Sequence, residues 1–204
     1  MKYLLLALLW SAWCFVHSAL ISLRVTAFLK RRLEDRFRFT RLVYNGFASV
    51  TLVPVAWYTY SLKTEPLFSW NGSWRAGQVL LLAVSLFLFV EGARHYDGAA
   101  FLGIRQLKKG DGCTGLTETC ALETRGILGI VRHPWYAGGM MIIWARDLDL
   151  SAIITNVILT GYFVVGAFLE ERKLSIEFPE SYKEYRQKVS MFFPYRWLKS
   201  KLRN

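Results

Sequence analysis

Two clusters in this chain bring together residue types suited to holding a charged ligand. The first is Arg132-His133-Pro134-Trp135-Tyr136, preceded by Gly126-Ile127-Leu128-Gly129. A proline at the first helical position opens a helix whose first backbone N–H groups have no internal partner, and His133 stands beside them. Polar groups of a ligand bind well at such a helix start. The same residues also compose an ordinary interfacial belt of Arg, His, Trp and Tyr. The second cluster is Glu170-Glu171, at the end of a long uncharged run. Carboxylates there oppose the helix dipole, which favours cations at a C-terminal end. A positive partner is therefore required: Arg172, Lys173 or a cationic ligand. Glu91, Arg94 and His95 form a third group, spaced for contact on one helix face, and read as a structural pair. For proton transfer the sequence offers His133, Tyr136, Glu171 and His95 without choosing among them.

Other patterns carry less. Gly110-Asp111-Gly112-Cys113-Thr114-Gly115 matches GxGxxG in letters, but no strand precedes it and no apolar helix follows, as a dinucleotide site requires. The three histidines are dispersed, so no metal site is expected. His17 reads as a packed or hydrogen-bonded residue. There are three cysteines and no CxxC, which points to reduced thiols rather than a disulfide framework.

The elements that must position these clusters are membrane spans. The chain has 204 residues, 53% of them hydrophobic, with mean hydropathy +0.25; disorder is excluded. A bilayer core of about 30 Å takes roughly 20 apolar residues per helix. Tyr3–Leu23, Leu42–Leu62 and Leu150–Leu169 meet that length, and Ala76–Val90 runs on through Glu91 towards Tyr96. Pro134–Ala145 is shorter, but Leu150–Leu169 follows at once, so the two read as a helical hairpin turning at Arg146–Asp149. The expectation is an all-α polytopic protein of five spans, a single membrane domain with three spans in 1–97 and a second half in 98–194, to which the resemblance described below assigns cofactor binding.

The net charge of +11 sorts along these spans. Arg24–Arg41, Arg94–Arg132 and Arg172–Asn204 hold 7, 6 and 9 basic residues, 22 of the 26. By the positive-inside rule that places the N-terminus outside and the C-terminus in the cytosol, in the inner membrane if the source is bacterial. Charge of this origin calls for no nucleic-acid partner. The basic stretch after the first span marks a retained anchor rather than a cleaved signal. The polar material gathers on the cytosolic side, in Gly98–Arg132 and in the tail. There Leu174, Phe178, Tyr182, Tyr185 and Val189 recur at helical spacing, interrupted by Pro179, and predict two short helices.

Gly126–Tyr136, then Glu170-Glu171-Arg172-Lys173-Leu174, then Tyr182-x-x-Tyr185-x-x-x-Val189 and Pro194 resemble the isoprenylcysteine carboxyl methyltransferase group of integral-membrane methyltransferases. The resemblance covers Phe101–Pro194, and the first half, with His17-Ser18 and Tyr44-Asn45, looks more like the bacterial methanethiol S-methyltransferase branch. It implies S-adenosylmethionine bound at the cytosolic face, with S-adenosylhomocysteine as product. Position by position it implies cofactor contacts from Gln106, Leu122, Glu123, Leu128, His133, Pro134, Trp135, Tyr136 and Glu170. The prenylcysteine enzymes carry an arginine one helical turn before that glutamate to meet a substrate carboxylate. Here Gly166 stands in its place, which favours a smaller or neutral acceptor such as a thiol. The acceptor class therefore spans thiols, isoprenylcysteine-type carboxylates and lipid-like molecules. Two other readings stay open: an NADPH-dependent oxidoreductase similar to membrane sterol reductases, for which Arg125 and Arg132 would be a thin phosphate site, and a non-catalytic membrane subunit.

Overall fold

The computed structural model describes residues 1–96, 98–109 and 121–202. The Gly110–Gly115 motif, Cys113 and Cys120 lie outside the described residues. The described chain is helical, with two isolated backbone bridges and no strand. Its helices are α1 (Lys2–Leu20), α2 (Leu23–Leu33), α3 (Thr40–Ser61), α4 (Trp74–Ala93), α5 (Gly98–Leu102), α6 (Ile104–Lys109), α7 (Pro134–Trp144), α8 (Leu150–Glu177), α9 (Pro179–Lys188) and α10 (Tyr195–Leu202), with 3-10 turns at Glu34–Phe39 and Gly126–Gly129. Among them α1, α4 and α8 are long and apolar enough to cross a membrane. Helix α3 has 22 residues but includes Arg41, Asn45 and Pro54. Helix α7 has 11 residues, about 16 Å at the α-helical rise, half a bilayer core.

The chain divides into two compact units. The first comprises Met1–Ser69, Ala99–Gly112 and Asp147–Tyr162. In it α1 packs on α3 around Leu6, Trp10 and Val55, with Ile154, Ile158 and Leu159 closing the cluster. The indole N–H groups of Trp10 and Trp13 donate to Thr59 Oγ1 at 2.9 Å and Thr51 Oγ1 at 3.2 Å. Tryptophan thus fills apolar volume while its one donor is satisfied across the helix pair. Asn45 Nδ2 donates to the carbonyls of Phe101 and Leu102, both at 3.1 Å, occupying acceptors that the C-terminal end of α5 leaves open. Asp149 caps α8: its Oδ1 accepts from Ala152 N at 2.7 Å and its Oδ2 from Thr64 N at 2.8 Å, an N-cap arrangement.

The second unit comprises Trp70–Gly98, Cys113–Arg146 and Phe163–Asn204. Here α7 lies antiparallel to α4. Gln78 Nε2 donates to Ala145 O at 2.8 Å, Ser85 Oγ to Gly138 O at 2.8 Å and Trp135 Nε1 to Phe89 O at 3.1 Å. Each advance along α4, seven residues and then four, is matched by a retreat along α7 of seven and then three. Small residues permit the approach: a Cβ on Gly92 would stand 2.6 Å from Trp135 Cδ1. On its other side α7 meets the second half of α8. A Cβ on Gly139 would touch Phe163 at 3.2 Å and one on Gly166 would touch Tyr136 at 3.3 Å, and the Tyr136 and Phe163 rings sit edge to face at 6.1 Å. The expected hairpin of the last two apolar segments is therefore present. Helix α8 continues eight residues past Leu169, the last residue of its uncharged run. Glu, Arg, Lys and Leu are good helix formers, so loss of hydropathy there does not end the helix.

Candidate functional site

Register decides the site. Along α7, Gly139, Tyr136 and His133 step back by three residues, and opposite them Phe163, Gly166 and Glu170 step forward by three or four. The antiparallel hairpin thus delivers His133, the residue before Pro134, to the foot of α8. His133 is 2% exposed. Its Nε2 stands 3.3 Å from Glu171 Oε1 and its Nδ1 3.8 Å from Glu170 Oε2. The two clusters read from the sequence are one constellation.

The carboxylates differ in their surroundings. Glu171 is 5% exposed in its side chain. Its Oε1 accepts from Arg132 Nε at 2.8 Å, Arg132 Nη2 at 2.6 Å and His133 Nε2 at 3.3 Å, and Arg186 Nε lies 3.4 Å from its Oε2. Burial alone would push this carboxyl up; the hydrogen bonds from His133 and Arg132 and their charges outweigh it and hold the carboxyl at about 2. The positive partners are thus Arg132 and Arg186, from distant parts of the chain, where Arg172 and Lys173 were the expected protein cations. Glu170 is 30% exposed in its side chain. Among the described residues no lysine or arginine pairs with it. His133 Nδ1 stands 3.8 Å from Glu170 Oε2, beyond hydrogen-bond distance. Glu170 keeps its acceptor capacity.

The tail closes one side. Arg132 N donates to Ser190 O at 2.9 Å and His133 N to Met191 O at 3.1 Å, and the Arg132 guanidinium also donates to Val189 O. Tyr185 Oη donates to Leu128 O at 2.6 Å. Of the two short helices expected in the tail, the second is α9, opened by Pro179, while the first is no separate helix but the continuation of α8 to Glu177. Tyr182, Tyr185 and Val189 form a buried cluster with Leu122 packed against it. Burial pushes the Tyr182 and Tyr185 hydroxyls up, and the Glu171 carboxylate adds to it in both.

The other expected residues distribute as follows. Leu128 is 4% exposed and packs with Ile127, Val131 and Leu88. Pro134 opens α7 as its first residue. The Tyr136 ring meets the His133 ring at 5.5 Å. Trp135 turns the other way, its N–H on Phe89 O and its ring at 4.7 Å from Tyr96. Glu123 Oε1 accepts from the N–H groups of Thr124 and Arg125 at 3.1 and 2.9 Å. His95 packs on Gly126, whose φ of +56° and closeness to the imidazole exclude a side chain there. Glu91 pairs with Arg94 at 2.7 Å, as its spacing indicated. Gln106 belongs to the first unit, where its Nε2 donates to Ala100 O at 3.2 Å.

Three residues near the constellation carried no such signal in the sequence. Arg186 sits on a polar helix of mixed charge. Phe192 meets His133 at 6.0 Å. The Tyr96 hydroxyl is pushed up by burial first and then by the charge of Glu170. Only the i, i+4 relation of Tyr182 to Arg186, on a helix whose tyrosines face inward, pointed to the arginine.

A partly exposed carboxylate, a buried imidazole beside it and a tail folded over one side make up the constellation. Curated proteins resemble the chain that carries it. The chain is similar to methanethiol S-methyltransferases: 33% identity over 82 residues to one from a Pseudomonas species (40% of this chain, 32% of the relative), 27% over 165 residues to that of Pseudomonas deceptionensis (76% and 59%), and 28% over 166 residues to that of Mycobacterium tuberculosis (76% and 64%). The likeness to the methanethiol S-methyltransferase branch is thereby borne out. In each case the chain spans less than two thirds of the relative's length. No family model matches the chain, and no solved structure matches it.

Proposed function

We propose that this protein transfers a methyl group from S-adenosylmethionine to a small or membrane-partitioned acceptor, with a thiol favoured over an isoprenylcysteine-type carboxylate. The observation that carries this reading is the contrast between the two glutamates. Glu171 is held by Arg132, His133 and Arg186, while Glu170 beside it, partly exposed, meets no arginine or lysine among the described residues. A donor bearing a sulfonium and an ammonium fits such a carboxylate. Leu122, Glu123, Leu128, His133, Pro134, Trp135, Tyr136 and Glu170 are the proposed binding residues.

When bound, S-adenosylmethionine supplies an electrophilic methyl group on sulfur. The chain's part is placement. Glu170 offers opposing charge. The Arg132–Glu171 pair locks the start of α7 against α8, so that His133 and Tyr136 keep their positions. The helices and tail exclude water from a displacement in which charge is lost. The Tyr136 ring lies against Gly166, where the prenylcysteine enzymes carry the carboxylate-binding arginine. This supports a neutral or thiolate acceptor. We further propose five spans, with α3 and α7 joining α1, α4 and α8, the N-terminus outside, and the constellation on the cytosolic side with the C-terminus.

The test is calorimetric titration of purified full-length protein with S-adenosylmethionine and S-adenosylhomocysteine, paired with labelled methyl transfer to methanethiol, longer thiols and prenylcysteines. Micromolar binding, transfer to thiols and loss of binding in Glu170→Gln and His133→Ala are expected. Absence of heat with both ligands, or selective binding of NADPH, overturns the reading.

A further inference from the structure

Helix α2 and the 3-10 turn after it join α1 to α3 within the first unit. Arg24–Arg41 carries 7 basic residues against Glu34 and Asp35. Arg24, Arg31, Arg32, Arg36 and Arg38 are all exposed. Apolar side chains are exposed among them: Leu23 at 45%, Phe28 at 58% and Phe39 at 43%. The guanidinium of Arg32 lies 5.8 Å over the Phe28 ring and that of Arg38 5.0 Å over the Phe39 ring. Val25 and Leu29 are partly buried. A helix with cations and aromatic rings interleaved on its outer face lies in the headgroup layer of a bilayer.

A second feature begins at the same end of the helix pair. A cleft of about 230 Å³ runs between α1 and α3, lined by Ala12, Trp13, Val16, His17, Phe47 and Ala48 among others. Its lining is apolar but for His17 and Thr51. Small-molecule sites usually measure about 300–1,000 Å³, so this cleft is slender. On α1 the lining runs from Leu9 to His17, about 12 Å at the helical rise. One leaflet's share of a bilayer core is about 15 Å. His17 and Phe47, at one end of the lining, lie nearest in sequence to the basic connector. Tyr44 Oη contacts His17 Nε2 there, so the imidazole is already engaged.

We infer that the basic connector and the α1–α3 cleft form one site for an anionic phospholipid, its phosphate met by Arg24, Arg31, Arg32, Arg36 and Arg38 and one acyl chain lying in the cleft. Charge complementarity selects the headgroup; clusters of four to eight Lys and Arg beside a span bind anionic lipid electrostatically. The slender apolar slot below selects a chain rather than a compact ligand. The site is independent of Glu170 and of the methyl-transfer reading.

Native mass spectrometry of the full-length protein, released from micelles holding equal phosphatidylglycerol and phosphatidylcholine, tests it. Expected is retention of phosphatidylglycerol over phosphatidylcholine by at least tenfold. The quadruple variant Arg24→Gln, Arg31→Gln, Arg32→Gln, Arg36→Gln loses the preference. Ala48→Phe, which fills the slot, lowers retention of both lipids while the preference survives. Equal retention of the two lipids by the unaltered protein overturns the inference, whether or not the quadruple variant folds. So does undiminished retention in Ala48→Phe, or displacement of the bound lipid by an acidic peptide or a short oligonucleotide.

Discussion

Arg132 and Glu171 are 39 positions apart and joined by two charge-assisted hydrogen bonds, 2.8 and 2.6 Å, onto a single carboxylate oxygen. The pair ties the residue before His133 to the residue after Glu170. It holds the His133 and Glu170 side chains at a fixed separation without either having to bind the other strongly.

Removing one member of this pair leaves the other charge buried. Breaking a buried ion pair costs about 3–5 kcal/mol, so Glu171→Ala will lower the unfolding midpoint in detergent steeply. Arg132→Leu will do the same. Midpoints within a degree or two of the parent protein would mean that the pair contributes no stability.

Glu170→Gln will behave in the opposite way. The side chain is partly exposed and unpaired with any described arginine or lysine, so stability should shift by no more than about 0.5 kcal/mol, as for surface changes. Affinity for S-adenosylmethionine should fall at least tenfold by titration. A stability loss like that of Glu171→Ala would show that Glu170 is structural.

Acid will act through Glu171. Its carboxyl is held below its ordinary value of 4.5, at about 2. The stabilisation is complete above about pH 4.5 and is lost as the pH falls towards 2, because the unfolded chain takes up the proton first. Circular dichroism between pH 5 and 2 should show a flatter decline for Glu171→Gln than for the parent protein; parallel curves would refute the assignment.

Gly92→Ala will press a methyl group into the Trp135 indole, 2.6 Å from Cδ1. Overpacking costs about 1–3 kcal/mol, and the indole N–H must leave Phe89 O or α4 must shift. Thermal unfolding measures the cost, and restored stability in Gly92→Ala with Trp135→Leu would locate the clash.

Tyr185→Phe removes a hydroxyl without changing packing. It leaves Leu128 O without its donor, at about 1–3 kcal/mol for a buried acceptor. Faster proteolysis of the tail should accompany the loss; an unchanged digestion rate would show that the tail is held elsewhere.

The start of α7 was legible because Pro134 is a strong local signal, and the spans because about twenty uncharged residues in a row have few alternatives. Glu170 and Glu171 were legible as anomalies, since charge at an unfavourable helix end needs a reason. Which cation answered them was not. Arg172 and Lys173 are adjacent in sequence, but on a helix adjacent residues point in different directions, and Arg132 and Arg186 reach Glu171 only through the hairpin register and the tail's return. Helix α2 is not visible as an element in the sequence because its charges mask the apolar spacing of Val25 and Leu29. The continuation of α8 beyond Leu169 escaped notice because hydropathy marks the membrane and not the helix.

The backbone stitching of Arg132 and His133 to Ser190 and Met191 has a consequence for biosynthesis. While the ribosome still shields those late-made contacts, the long apolar helices α1, α4 and α8 can already have formed, yet the amides at the head of α7 have no acceptor. The head of α7 is therefore completed in one late event, and a chain cut after Lys188 will lack the two carbonyls on which the Arg132 and His133 amides close.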